Sequence, residues 1–230
     1  MKRISLIISL LVLFVLGGNA QNDDLKFGVK LGPSFNWASS GSVETANKGV
    51  RVGFGAGFIV DYYLTSHFAV STGAEVNYCR MMYRFTDYRK SYGFLVDTEV
   101  AVMRRLQAVN LDFPIKLKVK FNVADLFNLY AEAGGSLGFN LKDYGKDEYS
   151  LLWNHIQSDT YEDCTNQYRA FQPSMIFGLG AEYVVNRNFS MFAQLSFHHT
   201  FLNAFVSSLQ EQTGSILRNN FIGVEVGIMH

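Results

Sequence analysis

Hydrophobic and polar residues alternate along most of the chain. Between residues 106 and 121, the odd positions from Val109 to Phe121 are apolar, and the even positions include Lys116, Lys118 and Lys120. Successive side chains of a β-strand point to opposite faces, so the alternation predicts a strand with one apolar face. The same pattern recurs, and the eight predicted strands span residues 26–37, 50–63, 68–80, 106–121, 127–141, 171–184, 189–201 and 218–230.

The connections between these strands alternate in length. The short ones are residues 64–67, 122–126 and 185–188, and the long ones are 38–49, 81–105, 142–170 and 202–217. An even number of strands with short turns at one end and long loops at the other is typical of outer-membrane barrels, whose turns are periplasmic and whose loops are extracellular. The pattern therefore predicts an all-β protein, an eight-stranded antiparallel up-and-down transmembrane barrel over residues 21–230.

The first twenty residues have the features of a secretory signal peptide. Lys2 and Arg3 precede the apolar run 4–16, and Gly18 and Ala20 place small residues before Gln21. A basic start, a short apolar run and small residues at the cleavage site define such a peptide. The run is too short for a transmembrane helix, which needs about 20 residues. We expect residues 1–20 to be removed and the remaining chain to lie in the bacterial outer membrane.

The glycines indicate which face of the barrel lines the lumen. Most of the 20 glycines, among them Gly55, Gly134 and Gly180, fall on the polar faces of the predicted strands. Glycine weakens a strand, and a face in water has no need of it. An eight-stranded barrel, in contrast, has an interior just wide enough for side chains to fill. We therefore expect the apolar faces to contact lipid. A soluble lipocalin-like carrier, with its apolar face inside, is the less favoured alternative.

Charged residues on the inward faces balance one another. Buried charges persist when they are paired and hydrogen-bonded, so a balanced set indicates a plugged lumen and not an open channel. This predicted lumen charge network contains Lys26, Lys30, Arg51, Asp61, Glu75, Asp112, Lys116, Lys118, Lys120, Glu132, Glu182 and Glu225.

The long loops carry many aromatic residues and one of the two cysteines. Exposed aromatics are enriched in binding surfaces, so the loops are a candidate partner-binding surface, and the alternative is that they pack on one another at the rim. An oxidising compartment permits a disulfide between Cys79 and Cys164, which would tether a loop to the barrel mouth. The candidate surface comprises Tyr83, Phe85, Tyr88, Tyr92, Tyr149, Trp153 and Tyr161.

Composition and motifs exclude several functions. The formal net charge is zero and charged residues make up 17% of the chain, without the basic stripe that a nucleic-acid partner requires. The histidines and cysteines lack the spacing of a zinc site, so we expect neither a metal nor a cofactor. His198, Thr200 and Glu211 are the residues on which a lipid A-modifying enzyme could be built, but we expect no enzyme here.

Four stretches of the chain carry a family resemblance: FGVKLG at 27–32, LDFPIKLK at 111–118, LYAEAGG at 129–135 and FGLGAEY at 177–183. With them the chain resembles the small outer-membrane β-barrel proteins of Bacteroidetes-type bacteria, the PorT-like or "porin family" group. The resemblance implies an integral outer-membrane barrel with a link to protein secretion, as for PorT.

The expected function is a structural or accessory role in the outer membrane, with the extracellular loops as the partner-binding surface. A narrow passive porin for small solutes is the first alternative, and the lipid A-modifying enzyme is a weaker one. The expected partners are outer-membrane lipid and lipopolysaccharide, the barrel assembly machinery during biogenesis, and secretion or surface proteins.

Overall fold

The computed structural model describes residues 24–40, 46–89, 98–151, 154–157, 160–186, 188–206 and 216–230. The signal peptide predicted for residues 1–20 lies outside these ranges, as do Tyr92, Trp153 and Glu211. The strands are β1 (Leu25–Ser40), β2 (Ala46–Asn47), β3 (Arg51–Tyr63), β4 (Phe68–Arg89), β5 (Thr98–Ala124), β6 (Phe127–Leu151), β7 (Asn154–Gln157), β8 (Glu162–Asp163), β9 (Ser174–Asn186), β10 (Phe189–Thr200) and β11 (Leu217–Met229), with one 3-10 turn at Thr165–Gln167.

Eight of these strands close into an antiparallel barrel. Around the wall their order is β1, β3, β4, β5, β6, β9, β10 and β11, and β11 pairs back onto β1. The short strand β2 pairs with β4, and β7 and β8 pair with β6, all beyond the end of the barrel that carries the long connections. The closed barrel confirms the predicted fold.

Within the described ranges, no helix has the length and apolar character needed to span a lipid bilayer.

The apolar faces of the strands point away from the lumen. Leu117 and Leu179 are 49% and 67% exposed, whereas Lys118 is only 6% exposed. The lumen is narrow enough that glycine is required beside the larger side chains. A Cβ atom added to Gly180 would lie 2.3 Å from Cζ of Tyr130, because the Tyr130 ring fills the space over that glycine. Exposed hydrophobic side chains on the wall are stable in lipid and not in water, which fits a membrane barrel.

Three strands extend further than the sequence pattern predicted. We expected loops at 81–105 and 142–170, but β4 continues to Arg89, β5 begins at Thr98, and β6 continues to Leu151. The prediction of loops was wrong here because polar and apolar residues continue to alternate, but the apolar residues now occupy the inward positions of the strands. Above the membrane, Tyr83 and Phe85 point inward and are buried, while Arg84 points outward and is exposed. Outside this part of the barrel is water, so the apolar side chains turn to the interior.

Candidate functional site

Ion pairs fill the middle of the lumen. Lys116 Nζ lies 2.7 Å from Glu132 Oε1, and Lys118 Nζ lies 2.7 Å from Asp61 Oδ2. Nearer the periplasmic end, Lys120 Nζ lies 2.5 Å from Glu182 Oε2. All six of these residues are buried. The three lysines alternate along one face of β5, so the β-strand period itself places their ammonium groups at successive depths of the tube.

Two more ion pairs share the ammonium of Lys30 and join three strands. Lys30 Nζ on β1 lies 2.6 Å from Glu75 Oε1 on β4 and 3.0 Å from Glu225 Oε2 on β11. Glu75, His198 and Glu225 also place ligand-type atoms within 4.8 Å of one another, as in a small metal site. The ammonium of Lys30 already supplies the positive charge between the two carboxylates. This cluster therefore fits an ion pair of the plug better than a metal centre.

Uncharged polar side chains link the ion pairs. Gln194 donates to Glu225 Oε2 at 2.5 Å and to Glu132 Oε1 at 3.4 Å, and it accepts a 2.8 Å hydrogen bond from the Tyr130 hydroxyl. Ser190 donates to Glu182 Oε1 at 2.7 Å. Sequence reasoning did not single out Gln194, although its inward parity on β10 was the signal for it. Gln194 therefore connects the Lys116–Glu132 pair with the carboxylate that Glu225 shares with Lys30, and Ser190 extends the Lys120–Glu182 pair.

Two clusters of buried apolar groups pack against this network. Ile59, Tyr130, Phe192 and Met229 form a buried cluster towards the periplasmic end. At the extracellular end lies a larger buried cluster, which we call the cap: Ala38, Met81, Tyr83, Phe85, Val102, Leu106, Cys164, Tyr168, Ala204, Phe205 and Leu217. Buried side chains are therefore present in both halves of the tube.

Aromatic contacts and one buried ion pair hold the cap together. The Phe205 ring lies 5.9 Å from the Tyr83 ring and 5.6 Å from the Tyr168 ring, and the two tyrosine hydroxyls are hydrogen-bonded. Arg104 Nε and Nη2 bind the two carboxylate oxygens of Asp147 at 2.5 and 2.6 Å. A bidentate pair of this kind fixes geometry as well as charge. The segments 160–170 and 201–206 are therefore packed into the mouth of the barrel.

The cap also contains a carboxyl group with a shifted pKa. Asp143 lies on β6 beyond the last lipid-facing residue, and it is fully buried. Burial raises the pKa of the Asp143 carboxyl to about 7, against a hydrogen bond from Asn140 that lowers it. Its backbone is tied to the cap as well, because Cys164 N donates to Asp143 O at 3.0 Å. The charge of Asp143 is thus sensitive to pH near neutrality.

Three members of the predicted lumen charge network differ from the rest. Arg51 does not lie in the lumen: it is exposed, and its Nη2 contacts Met82 Sδ at 2.6 Å. Arg51 is the first residue of β3, so its side chain reaches over the rim. Asp112 does line the lumen, but it accepts a 2.8 Å hydrogen bond from Asn77 and has no basic partner among the described side chains. Lys26 is a marginal member, with its Nζ 4.0 Å from Glu182.

Of the residues predicted to form an exposed aromatic surface, some are buried and one is exposed. Tyr83 and Phe85 are buried in the cap, with relative exposures of 0% and 1%, so they do not belong to an exposed surface. Both residues occupy inward positions of β4, which are polar in the membrane-spanning part and apolar beyond it. Tyr161 is 39% exposed. The side chains of Tyr88, Tyr92, Tyr149 and Trp153 lie outside the described residues.

Cys79 and Cys164 are both buried free thiols, so the tethering disulfide is not formed in the structure. The two thiols lie in different surroundings. Cys79 Sγ accepts a 3.8 Å contact from Asn110 in the lumen, whereas Cys164 lies in the cap over Gly145. Burial raises the pKa of the Cys164 thiol to about 12, which leaves it protonated and unreactive.

The histidine proposed for a lipid-modifying enzyme points away from lipid. His198 is 3% exposed and stacks on Phe221 with ring centroids 4.0 Å apart, and Thr200 is also buried. A group that attacks lipid A would have to reach the outer surface of the barrel wall. His198 and Thr200 instead line a small polar cavity in the upper lumen with Asn110, Asp112 and Asn219.

The sequence matches one family over most of its length. The family is described as outer membrane protein beta-barrel domain, and the match covers residues 19–206. The chain belongs to this family. It is accordingly an integral protein of the bacterial outer membrane, as its lipid-facing wall requires. Comparison of the sequence with curated proteins gives no match.

Solved structures with a similar fold are also outer-membrane barrels. Neisserial surface protein A is 13% identical with a TM-score of 0.42, and the alignment covers 88% of this chain and 95% of that one. OprG from Pseudomonas aeruginosa is 11% identical with a TM-score of 0.38, covering 89% and 95%. The outer membrane protease OmpT from Escherichia coli is 9% identical with a TM-score of 0.41, covering 91% and 97%. These similarities concern the fold alone.

Proposed function

We propose that this protein is a plugged, non-conducting barrel with a structural or accessory role in the outer membrane, and that it is not an enzyme. The observation that supports this most directly is the dense filling of the lumen by buried side chains. Buried ion pairs occupy its middle and its periplasmic half, and apolar clusters pack beside them and at the extracellular end. Ions crossing such a tube would have to separate buried charge pairs, which is costly in a low-dielectric interior.

Planar-bilayer recording tests the plug against the alternative of a narrow porin. Purified protein should insert without producing steady conductance steps. A known open porin, prepared in the same detergent, provides the control for insertion and recording. Reproducible single-channel steps from the folded protein would contradict the plug and favour passive transport of small solutes.

The proposed role also includes binding of other cell-envelope proteins on the extracellular side. The support is geometric: β4, β5 and β6 extend beyond the rest of the barrel, and Tyr161, just before β8, is exposed. A link to protein secretion rests on the resemblance to PorT-like proteins. Crosslinking in intact cells followed by purification should recover a defined envelope partner. Secretion that is normal in a strain lacking the protein would remove the link to secretion and leave the plug untouched.

A further inference from the structure

Strands β4, β5 and β6 continue beyond the lipid-facing wall, and we call this part of the barrel the extracellular extension. Its outward face changes from apolar to basic from one row of paired residues to the next. In register, Tyr78 on β4 pairs with Val109 on β5, and this row lies at the top of the lipid-facing wall. Tyr78 is 37% exposed, as expected for an aromatic residue at the membrane boundary. The next outward row begins at Arg80, which pairs with Gln107. Two residues along a strand advance it by about 6.6 Å, which is the depth of the lipid headgroups.

The rows above continue this basic surface across three strands. Met82 pairs with Arg105, and Arg105 pairs with Lys146 on β6. Further up, Arg84 is exposed on β4. Arg51 on β3 reaches the same surface through its contact with Met82. We call this surface the basic face, and it comprises Arg51, Arg80, Arg84, Arg105, Lys142 and Lys146.

Few carboxylates neutralise the basic face. Glu148 Oε1 lies 2.7 Å from Arg105 Nη2, and Asp163 Oδ2 lies 3.8 Å from Lys142 Nζ. In the portion of the chain that the structure describes, no carboxylate pairs with Arg80, Arg84 or Lys146. Two other acidic residues of β6, Asp143 and Asp147, are buried on the opposite side, towards the cap. The excess positive charge is therefore directed outward.

We propose that the basic face binds the phosphate groups of lipopolysaccharide in the outer leaflet. It lies directly above lipid-facing rows of the same three strands, so the molecule nearest to it in the membrane is an outer-leaflet lipid. Arginine binds phosphate through paired N–H donors. Among the described side chains, no carboxylate competes for Arg80, Arg84 or Lys146. The proposal assigns a face and named residues to the lipid contact. It holds whether or not the lumen conducts, so it is independent of the proposed plug.

The test is enrichment of phosphorylated lipid A around the full-length protein in nanodiscs. The discs contain phosphatidylcholine with a minority of either phosphorylated or enzymatically dephosphorylated lipid A, and bound lipid is counted by native mass spectrometry. The wild-type protein should enrich only the phosphorylated form. Each substitution Arg80→Gln, Arg84→Gln and Lys146→Gln should lower this affinity about fivefold, which corresponds to about 1 kcal/mol per basic residue near an anionic surface. Glu148→Gln should raise it.

Arg218→Gln is the matched control. Arg218 lies at the extracellular end of β11, which is four strands from β5 in either direction around the barrel, and its side chain is half-buried at an outward position of that strand. This substitution removes the same charge at the same end of the molecule, and it should change enrichment by less than twofold. Heat-dependent gel mobility of every variant establishes that the barrel is folded. If a glutamine variant fails to fold, the conservative change at that position, Arg→Lys or Lys→Arg, should keep most of the enrichment.

Four results would overturn the proposal. The first is equal enrichment of phosphorylated and dephosphorylated lipid by the wild-type protein. The second is a loss in Arg218→Gln as large as that in Arg84→Gln. The third is full displacement of lipid by free inorganic phosphate at millimolar concentration, which would indicate a site for soluble anions. If the glutamine variants lose binding only to an acidic extracellular polysaccharide and keep lipid enrichment, the partner is not lipid and the proposal is likewise refuted.

Discussion

The sharpest test of the plugged lumen is the removal of one charge from the pair between Asp61 and Lys118. Asp61 lies on β3 and Lys118 on β5, so the pair crosses the space in front of β4. Asp61→Asn keeps the size of the side chain and removes its charge. The Lys118 ammonium then stays buried beside the Tyr130 ring, 4.2 Å from its centroid, without a carboxylate. The substitution therefore isolates the electrostatic part of the plug.

The expected cost follows from the burial of the pair. The Lys118 and Asp61 side chains are 7% and 0% exposed, and their charged atoms are 2.7 Å apart. Breaking a buried pair by removing one partner costs about 3–5 kcal/mol, whereas an exposed pair contributes about 1 kcal/mol at most. We expect the first value for Asp61→Asn. A double variant that also carries Lys118→Met should regain most of the loss, because no charge is then left unpaired in the interior.

The measurement is the free energy of unfolding in urea, with the protein in lipid vesicles. Tryptophan fluorescence and the shift in gel mobility report the same transition. Glu148→Gln is the control, because it breaks a pair of similar length whose side chains are 44% and 28% exposed. The free energy of unfolding should depend on urea concentration with the same slope in every variant, because a changed slope would indicate a changed unfolded state and not a change in stability alone.

A loss for Asp61→Asn no larger than that for Glu148→Gln would refute the reasoning. It would mean that water reaches the pair and screens it, so the lumen would be hydrated where the structure places side chains. Such a result would also predict measurable conductance in planar bilayers. The two experiments therefore have to agree, and together they decide between a plug and a pore.

Two further predictions concern the packing of the lumen and the cap. Gly180→Ala should displace the Tyr130 ring from its hydrogen bond with Gln194 and destabilise the barrel by about 1–3 kcal/mol, as overpacking does, while Ala181→Leu on the lipid-facing side should be tolerated; urea unfolding compares them. The pKa of Asp143 in the folded protein is about 7, above the ordinary value near 4 that applies to the unfolded chain. The folded cap therefore binds more protons than the unfolded chain in this range, and its stability should fall as pH rises from about 4 to 7. Hydrogen exchange of residues 160–168 measures this slope, which Asp143→Asn should flatten; a wild-type cap whose protection is independent of pH would contradict it.

Much of the barrel follows from the sequence alone, because a strand has a period of two and a barrel wall has two different sides. In the segment 106–121, that period separates Leu117 from Lys118 whatever the neighbours are. The excess of glycine on the polar face then decides which side is the lumen, since an eight-stranded tube has little room for side chains. The same parity brings Lys116, Lys118 and Lys120 inward together with the acidic residues of other strands.

The identity of the ion-pair partners was decided only by the tertiary structure. Parity states that Lys118 points inward, but the pairing of Lys118 with Asp61 depends on the stagger of the strands and on the depth of each residue. Arg51 has the inward parity and yet lies at the rim, because it is the first residue of its strand. Asp112 likewise meets an asparagine and not a lysine.

The extracellular extension marks the point where the sequence pattern ceased to be sufficient. The alternation of β4 continues through Tyr83 and Arg84, but the solvent outside the wall changes from lipid to water near Tyr78. The apolar side must then turn inward, so the same period predicts the opposite arrangement on the two sides of that boundary. Only the paired strands locate the boundary, and with it the burial of Tyr83 and Phe85 in the cap and the outward direction of the basic face.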